Sequence, residues 1–257
     1  MQVTSITPPI ALQPFVKTFL VIESETGSTS RVLPGAAIVL AFRYKGRIRC
    51  EEETGIVDLP GSVISGLRKS ARVMHYGPET GNILVVFQPG GARAFFHDSL
   101  HEWFGQSLSL DLLIPASETE EIEERLALAG DQTERIGLVE QFLLDRLTPE
   151  KPDRLIGEAI ARIRSGRGML DLKELLSSFP LSRDPFEKRF RRVTGTSPKQ
   201  FSSIVRLNDL IRNYSPRVSL TGMAYDAGYF DQSHFIREFR AFTGKSPRRF
   251  FGEKDWW

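Results

Sequence analysis

Leu181 to Phe201 reads LSRDPFEKRFRRVTGTSPKQF, and Phe230 to Phe250 reads FDQSHFIREFRAFTGKSPRRF. At a constant offset of 49, eight of the 21 positions are identical: Phe186/Phe235, Phe190/Phe239, Arg191/Arg240, Thr194/Thr243, Gly195/Gly244, Ser197/Ser246, Pro198/Pro247 and Phe201/Phe250. Lys188/Arg237 and Lys199/Arg248 keep their charge. An internal repeat of this quality means one structural unit used twice.

Each copy has the pattern of an amphipathic helix. Phe186, Phe190 and Val193 fall at i, i+4 and i+7, as do Phe235, Phe239 and Phe242, so each set shares one helical face. The opposite face carries Arg183, Asp184, Glu187, Lys188 and Arg191 in the first copy, and Gln232, Ser233, Ile236, Arg237 and Arg240 in the second. Hydrogen-bonding groups with basic ends suit a helix lying in a major groove. Gly195 and Gly244 suit helix stops needing a positive φ. Ser-Pro then opens a further helix, with Ser197 or Ser246 as N-cap and proline as first helical residue. A helix start beside Lys199 or Arg248 forms a phosphate clamp.

A short helical segment is expected ahead of each of these helices. Asp171-Leu172-Lys173-Glu174 has the form of a capping box, and Ser219 to Ala224 precedes Tyr225-Asp226-Ala227-Gly228-Tyr229. The pattern is a helix-turn-helix, present twice. Phe201 to Tyr214 reads as one connecting helix about 20 Å long, which with its flanking bulk places the recognition helices roughly 34 Å apart.

Here the sequence resembles a known family. MAYDAGYFDQSHFIREFRAFTGKSPRRF (223–250) is similar to the second helix-turn-helix of AraC/XylS-type transcription regulators, through Ala224, Gly228-Tyr229, Asp231, Ser233, Phe235, Arg237, Phe239, Gly244 and Pro247. Arg206-Leu207 is similarly placed, and the resemblance covers about residues 155–251. It implies base contacts from Gln232, Ser233, His234 and Arg237, and from Asp184, Glu187 and Lys188. Copy one departs from the pattern, with Leu176 in an alanine slot and Pro180 in a glycine slot; Leu210 and Phe251 are further departures. Two carboxylates on its DNA face accept from cytosine N4 but are repelled by phosphate, which assigns discrimination to copy one and affinity to copy two. Arg31-Val32-Leu33-Pro34-Gly35 and Phe87-Gln88-Pro89-Gly90-Gly91-Ala92 resemble the small β-rich domain of one subgroup.

The charge distribution agrees. The chain has 257 residues and a formal charge of only +2. Residues 1–150 hold 13 basic and 20 acidic side chains, and residues 151–257 hold 21 and 12. Such an asymmetry marks one half as the partner of a polyanion. The single cysteine, Cys50, excludes an internal disulfide and a cysteine zinc site. Phe19 to Ile22 is too short an apolar run to span a membrane, and its flanks Lys17 and Glu23 do not fit a secretory signal, so a cytoplasmic protein is expected.

Residues 1 to about 90 read as β, with apolar runs Ala36 to Phe42 and Asn82 to Phe87. Ala92 to His101 reads as helix, and Glu118 to Leu147 as two helices split at Gly130-Asp131, a candidate dimer contact or an internal packing face. The expected fold is α+β: a β-rich, cupin-like sensing or dimerisation domain with trailing helices over 1–150, and an all-α double helix-turn-helix domain over 151–257. The linker Thr148 to Pro152 joins them, and the acidic half is expected to lie against the basic one.

Three features of the first half have chemical potential. His97 and His101 stand at i and i+4, superficially like a zinc-protease pair, but no third ligand follows from spacing, and two exposed helical histidines explain them more simply. Gln88-Pro89-Gly90-Gly91 reads as a strand-to-helix turn rather than an anion cradle. Arg68-Lys69, Arg72 and His75-Tyr76 either line a pocket or are solvated loop residues. No catalytic set is evident, and no cofactor is expected. The expected function is a sequence-specific DNA-binding transcription regulator. Its partners are double-stranded DNA, RNA polymerase, a small-molecule effector in the first domain and a second copy in a homodimer. The alternatives are the same role without an effector, and a metal-dependent enzyme at His97 and His101.

Overall fold

The computed structural model describes residues 1–96, 99–148, 153–216 and 218–253. The first part is an antiparallel sheet of β1 (Gln2–Ile6), β2 (Val16–Val32), β3 (Val39–Lys45), β4 (Ile48–Glu52), β5 (Gly55–Asp58), β6 (Ser62–Ser65), β7 (Arg72–Phe87) and β8 (Ser107–Ser109). The order is β1-β2-β7-β3-β6-β8, with β4 pairing β5 and the first part of β7. β2 and β7 form its frame, paired from Val16↔Phe87 to Val32↔Arg72.

Strand alternation gives this sheet two apolar faces. Leu40, Phe42, Ile64, Ile83, Val85 and Phe87 are buried in the main core. Their neighbours Val39, Ala41, Val63, Leu84 and Val86 point the other way and line a cavity. The core face is covered by α1 (Ala116–Leu128) and α2 (Gln132–Arg146), which bury Ile122, Leu126, Ile136, Val139, Phe142 and Leu143. Phe142 packs edge-on against Phe42 at 5.4 Å. The apolar stripe of these two helices is therefore used inside the chain. Asp131 splits them as expected, accepting a hydrogen bond from the Glu134 N–H at 2.9 Å.

One expected helix does not form. Among the described residues between Gly91 and Trp103 the chain makes two short 3₁₀ turns, Gly91–Ala94 and Leu100–Trp103. Phe95, Phe96, Leu100 and Trp103 are all buried there, drawn into the main core with the strands. The glycine turn ahead has a steric origin. Gly90 has φ +82°, and a Cβ on Gly91 would collide with the Phe15 carbonyl.

The second part is helical: α3 (Arg154–Ser165), α4 (Leu172–Ser177), α5 (Arg183–Thr194), α6 (Pro198–Arg212), α7 (Leu220–Asp226), α8 (Gln232–Thr243) and α9 (Pro247–Gly252). Linker residues 149–152 lie outside the described residues. Phe186, Phe190, Phe201, Phe235 and Phe239 are fully buried, at the positions the repeat marks as internal. The α+β fold class expected from the sequence is the one observed.

The two parts touch. The Ala71 N–H donates to the Phe242 carbonyl at 2.8 Å, Arg31 Nη1 to the Thr243 carbonyl at 3.4 Å, and Asn208 Nδ2 to the Pro34 carbonyl at 2.8 Å. Acidic against basic surface was expected, but these joints run from neutral or basic donors to backbone carbonyls.

Candidate nucleic-acid interface

Both helix-turn-helix units are built from local signals. Asp171 caps α4 by accepting from the Lys173 N–H at 2.6 Å, one residue short of the expected capping box. Ser219 caps α7 through the Gly222 N–H at 3.0 Å, and Asp231 caps α8 through the His234 N–H at 2.7 Å. Gly195 (φ +80°) and Gly244 (φ +78°) stop α5 and α8 in the left-handed conformation that glycine adopts without strain. In both copies the threonine before that glycine closes the turn, Thr194 Oγ1 donating to the Thr196 carbonyl and Thr243 Oγ1 to the Lys245 carbonyl. Ser197 caps α6 through the Gln200 N–H at 3.2 Å. Ser246 occupies the same position before α9, with no side-chain capping bond.

The polar faces are exposed. Arg183, Asp184, Lys188 and Arg191 of α5 reach solvent, as do Gln232, Ser233, His234, Arg237 and Arg240 of α8; Glu187 and Ile236 are half-buried. Lys199 and Arg248 are exposed at the starts of α6 and α9, beside half-buried Ser197 and Ser246.

The two faces differ in charge state. Glu187 takes Arg183 Nε at 2.9 Å and Arg191 Nη2 at 3.5 Å, so the carboxylate partly occupies two cations of α5. Arg237 and Arg240 of α8 are exposed, and Glu238 of that helix turns away to Arg206 of α6 at 2.8 Å. Arg206 also lies over the Tyr229 ring at 4.3 Å. Burial, with Glu238 nearby, pushes the Tyr229 phenol well above its ordinary range. Arg206 and Glu238 thus hold α8 against the connecting helix. Sequence reading placed Arg206 by resemblance alone and gave Glu238 no role; its i+4 spacing from His234 was the available signal.

Phe230 was also missed. It is 90% exposed at the turn immediately before α8, beside Gln232 and Ser233.

Of the other candidates, His101 is exposed in the 3₁₀ turn Leu100–Trp103, and His97 lies outside the described residues. The turn that carries His101 is 3₁₀ rather than α-helical. Arg68, Arg72 and Tyr76 line the cavity of the sheet. His75 does not: it bonds Thr29 Oγ1 at 3.0 Å and Glu51 Oε1 at 3.1 Å. Lys69 lies over the Phe104 ring at 5.8 Å. Strand alternation separates His75 from its neighbour Tyr76, so one basic-looking run divides between two surfaces.

Residues 175–253 match the model of a helix-turn-helix domain family. The second half is an AraC-type helix-turn-helix domain, a DNA-binding module. Residues 4–109 match a domain family of unknown function, DUF6597. No curated protein matches the chain. Among solved structures it is similar to ToxT from Vibrio cholerae O395, at 11% identity and TM-score 0.46 over 91% of this chain and 96% of that one. The unsaturated fatty acid-bound ToxT of strain SCE256 aligns at 13% identity and TM-score 0.43, over 90% and 94% of the two chains. The AraC-like transcriptional activator CuxR aligns at 14% identity and TM-score 0.29, over 83% and 87%. No helix among the described residues is long and apolar enough to cross a membrane.

Proposed function

We propose that the chain is a sequence-specific transcription regulator whose α5 and α8 enter successive major grooves of one duplex, with functional halves at 1–150 and 151–257. The observation that carries this reading is the repeat of exposure: Lys188/Arg237, Arg191/Arg240 and Lys199/Arg248 reach solvent in both copies, while Phe186/Phe235 and Phe190/Phe239 are fully buried. Base edges are read by Asp184, Glu187 and Lys188 in one groove, and by Gln232, Ser233, His234, Ile236 and Arg237 in the next. Arg183, Arg191 and Arg240 flank those contacts, and Ser197, Lys199, Ser246 and Arg248 hold phosphates. Phe230 meets a thymine methyl or the adjoining sugar.

Copy two supplies most of the affinity and copy one most of the discrimination, because Glu187 neutralises part of the α5 charge. Competition binding tests the division. Arg237→Ala should cost the matched site more affinity than Lys188→Ala does, whereas Lys188→Ala should mainly narrow the gap between matched and mismatched sites. Equal losses from both variants on both sites contradict it.

Control runs through the first half by a small molecule. Val32, Leu33, Pro34, Ser70 and Arg72 line the cavity of the sheet. The same two segments, at Arg31, Pro34 and Ala71, bond the end of α8 and the middle of α6. A ligand that moves these walls is felt where the recognition helix ends. Titration of effector candidates into a chain–DNA complex tests this: affinity that never responds to a bound ligand favours regulation without an effector.

A further inference from the structure

The cavity holds an unbalanced charge. It has a volume of about 250 Å³, just below the usual range of ligand sites, and is walled mainly by Val39, Ala41, Val63, Leu84, Val86 and their neighbours. Arg43, Arg68 and Arg72 also line it, and among the described residues no carboxylate does. Arg72 Nη1 and Arg68 Nη2 converge on one neutral acceptor, Ser107 Oγ, at 2.6 and 2.9 Å. The rest of the Arg72 fork meets sulfur, with Nε 3.2 Å from Cys50 Sγ and Nη2 3.6 Å from Met74 Sδ. Arg68 Nε and Arg43 Nε are buried without a partner. Burial, and then the charge of Arg72, push the Arg68 guanidinium down to about 10, against a smaller opposing pull from Cys50 and Glu52.

Two cations sharing one hydroxyl beside an apolar wall are costly until an anion joins them. A planar carboxylate matches the guanidinium fork and takes up the donors that Ser107 leaves over. We infer that the cavity binds a small molecule with an apolar aliphatic or aromatic body and one carboxylate head, the head held by Arg68 and Arg72 beside Ser107 and the body against the Val39–Ala41 and Leu84–Val86 walls. This rests on the reading of the first half as the effector-binding part, and it names the effector's chemical class.

The test uses the full chain and thermal unfolding with paired probes: decanoate against decanol, 2-naphthoate against 2-naphthylmethanol, and decyltrimethylammonium as the opposite charge. At least one carboxylate should raise the melting temperature saturably, on the order of 5 °C, with its alcohol and the cation well behind. Arg72→Met should weaken that carboxylate about tenfold or more, a lost charge-assisted hydrogen bond, and Arg72→Lys should recover part of it. Should Arg72→Met fail to fold, Arg68→Met gives the same reading. No shift with either carboxylate, or equal shifts with the alcohols, overturns the inference. DNA binding by the same preparation separates the two layers. A chain that selects a DNA site yet ignores both carboxylates loses only the ligand class, and one that binds a carboxylate but no DNA loses the regulator reading.

Discussion

Glu187 sits between Arg183 and Arg191 on one stripe of α5 and pairs with both, so under the proposed function it competes with DNA for them. Glu187→Gln removes that competition and leaves an amide in its place. Non-specific binding should tighten and its logarithmic salt dependence should steepen by about one phosphate equivalent, while discrimination against mismatched sites falls. Fluorescence anisotropy on matched and random duplexes at several salt concentrations checks both effects. Asp153 is a second informative residue. Burial opposes its ionisation, but the Arg189 guanidinium and the Ile156 N–H outweigh burial and hold the carboxyl below its ordinary range. A depressed native value stabilises the fold above the unfolded value near 4, and that contribution disappears as pH falls through the native value. Asp153→Asn should therefore lower the melting temperature at pH 7 and lose less of it than the parent chain between pH 5 and pH 3, as melting scans across that range would show.

At the scale of elements, the paired glycine stops are not equivalent. A Cβ on Gly195 would lie 2.9 Å from the Leu100 carbonyl, a backbone atom that cannot easily move. A Cβ on Gly244 would lie 2.9 Å from Arg31 Nη1, the tip of a flexible side chain. Both alanine variants carry the positive-φ strain of about 1–2 kcal/mol, but Gly195→Ala should destabilise by more and Gly244→Ala by little beyond it. The N-caps divide in the same way: Ser197→Ala should cost about 1 kcal/mol, and Ser246→Ala, which has no capping bond to lose, should cost less. Chemical denaturation of the four variants gives the comparison. These elements were legible in the sequence because their signals are local: phenylalanines at i and i+4, a glycine stop, a Ser-Pro start. The segment 91–103 was not, since its apolar residues fit a helical period yet are recruited one by one into a core formed by distant strands. The split of Arg72, His75 and Tyr76 between two sheet surfaces needed the register of β7 against β2 and β4, which no local window contains.

At the scale of the whole molecule, the connecting structure gives the N-terminal half a grip on the DNA-binding half. Arg31 and Ala71 hold the last carbonyls of α8, and Asn208 ties α6 to Pro34. Arg31→Ala with Asn208→Ala removes two of these three joints while leaving both cores intact. The double variant should retain DNA binding and lose most of the response of DNA affinity to any ligand that raises the melting temperature of the full chain; an undiminished response would place the coupling elsewhere. The near-neutral net charge conceals this arrangement, since an acidic half and a basic half cancel in the sum. The central claim, that α5 and α8 read two adjacent grooves, is tested most directly by selection of the full chain on random duplex DNA. The account predicts enrichment of a bipartite site with half-sites about one helical turn apart, one half lost in Arg237→Ala and the other relaxed in Glu187→Gln, and affinity falling steeply with salt. No enriched sequence, together with affinity indifferent to salt, would contradict it.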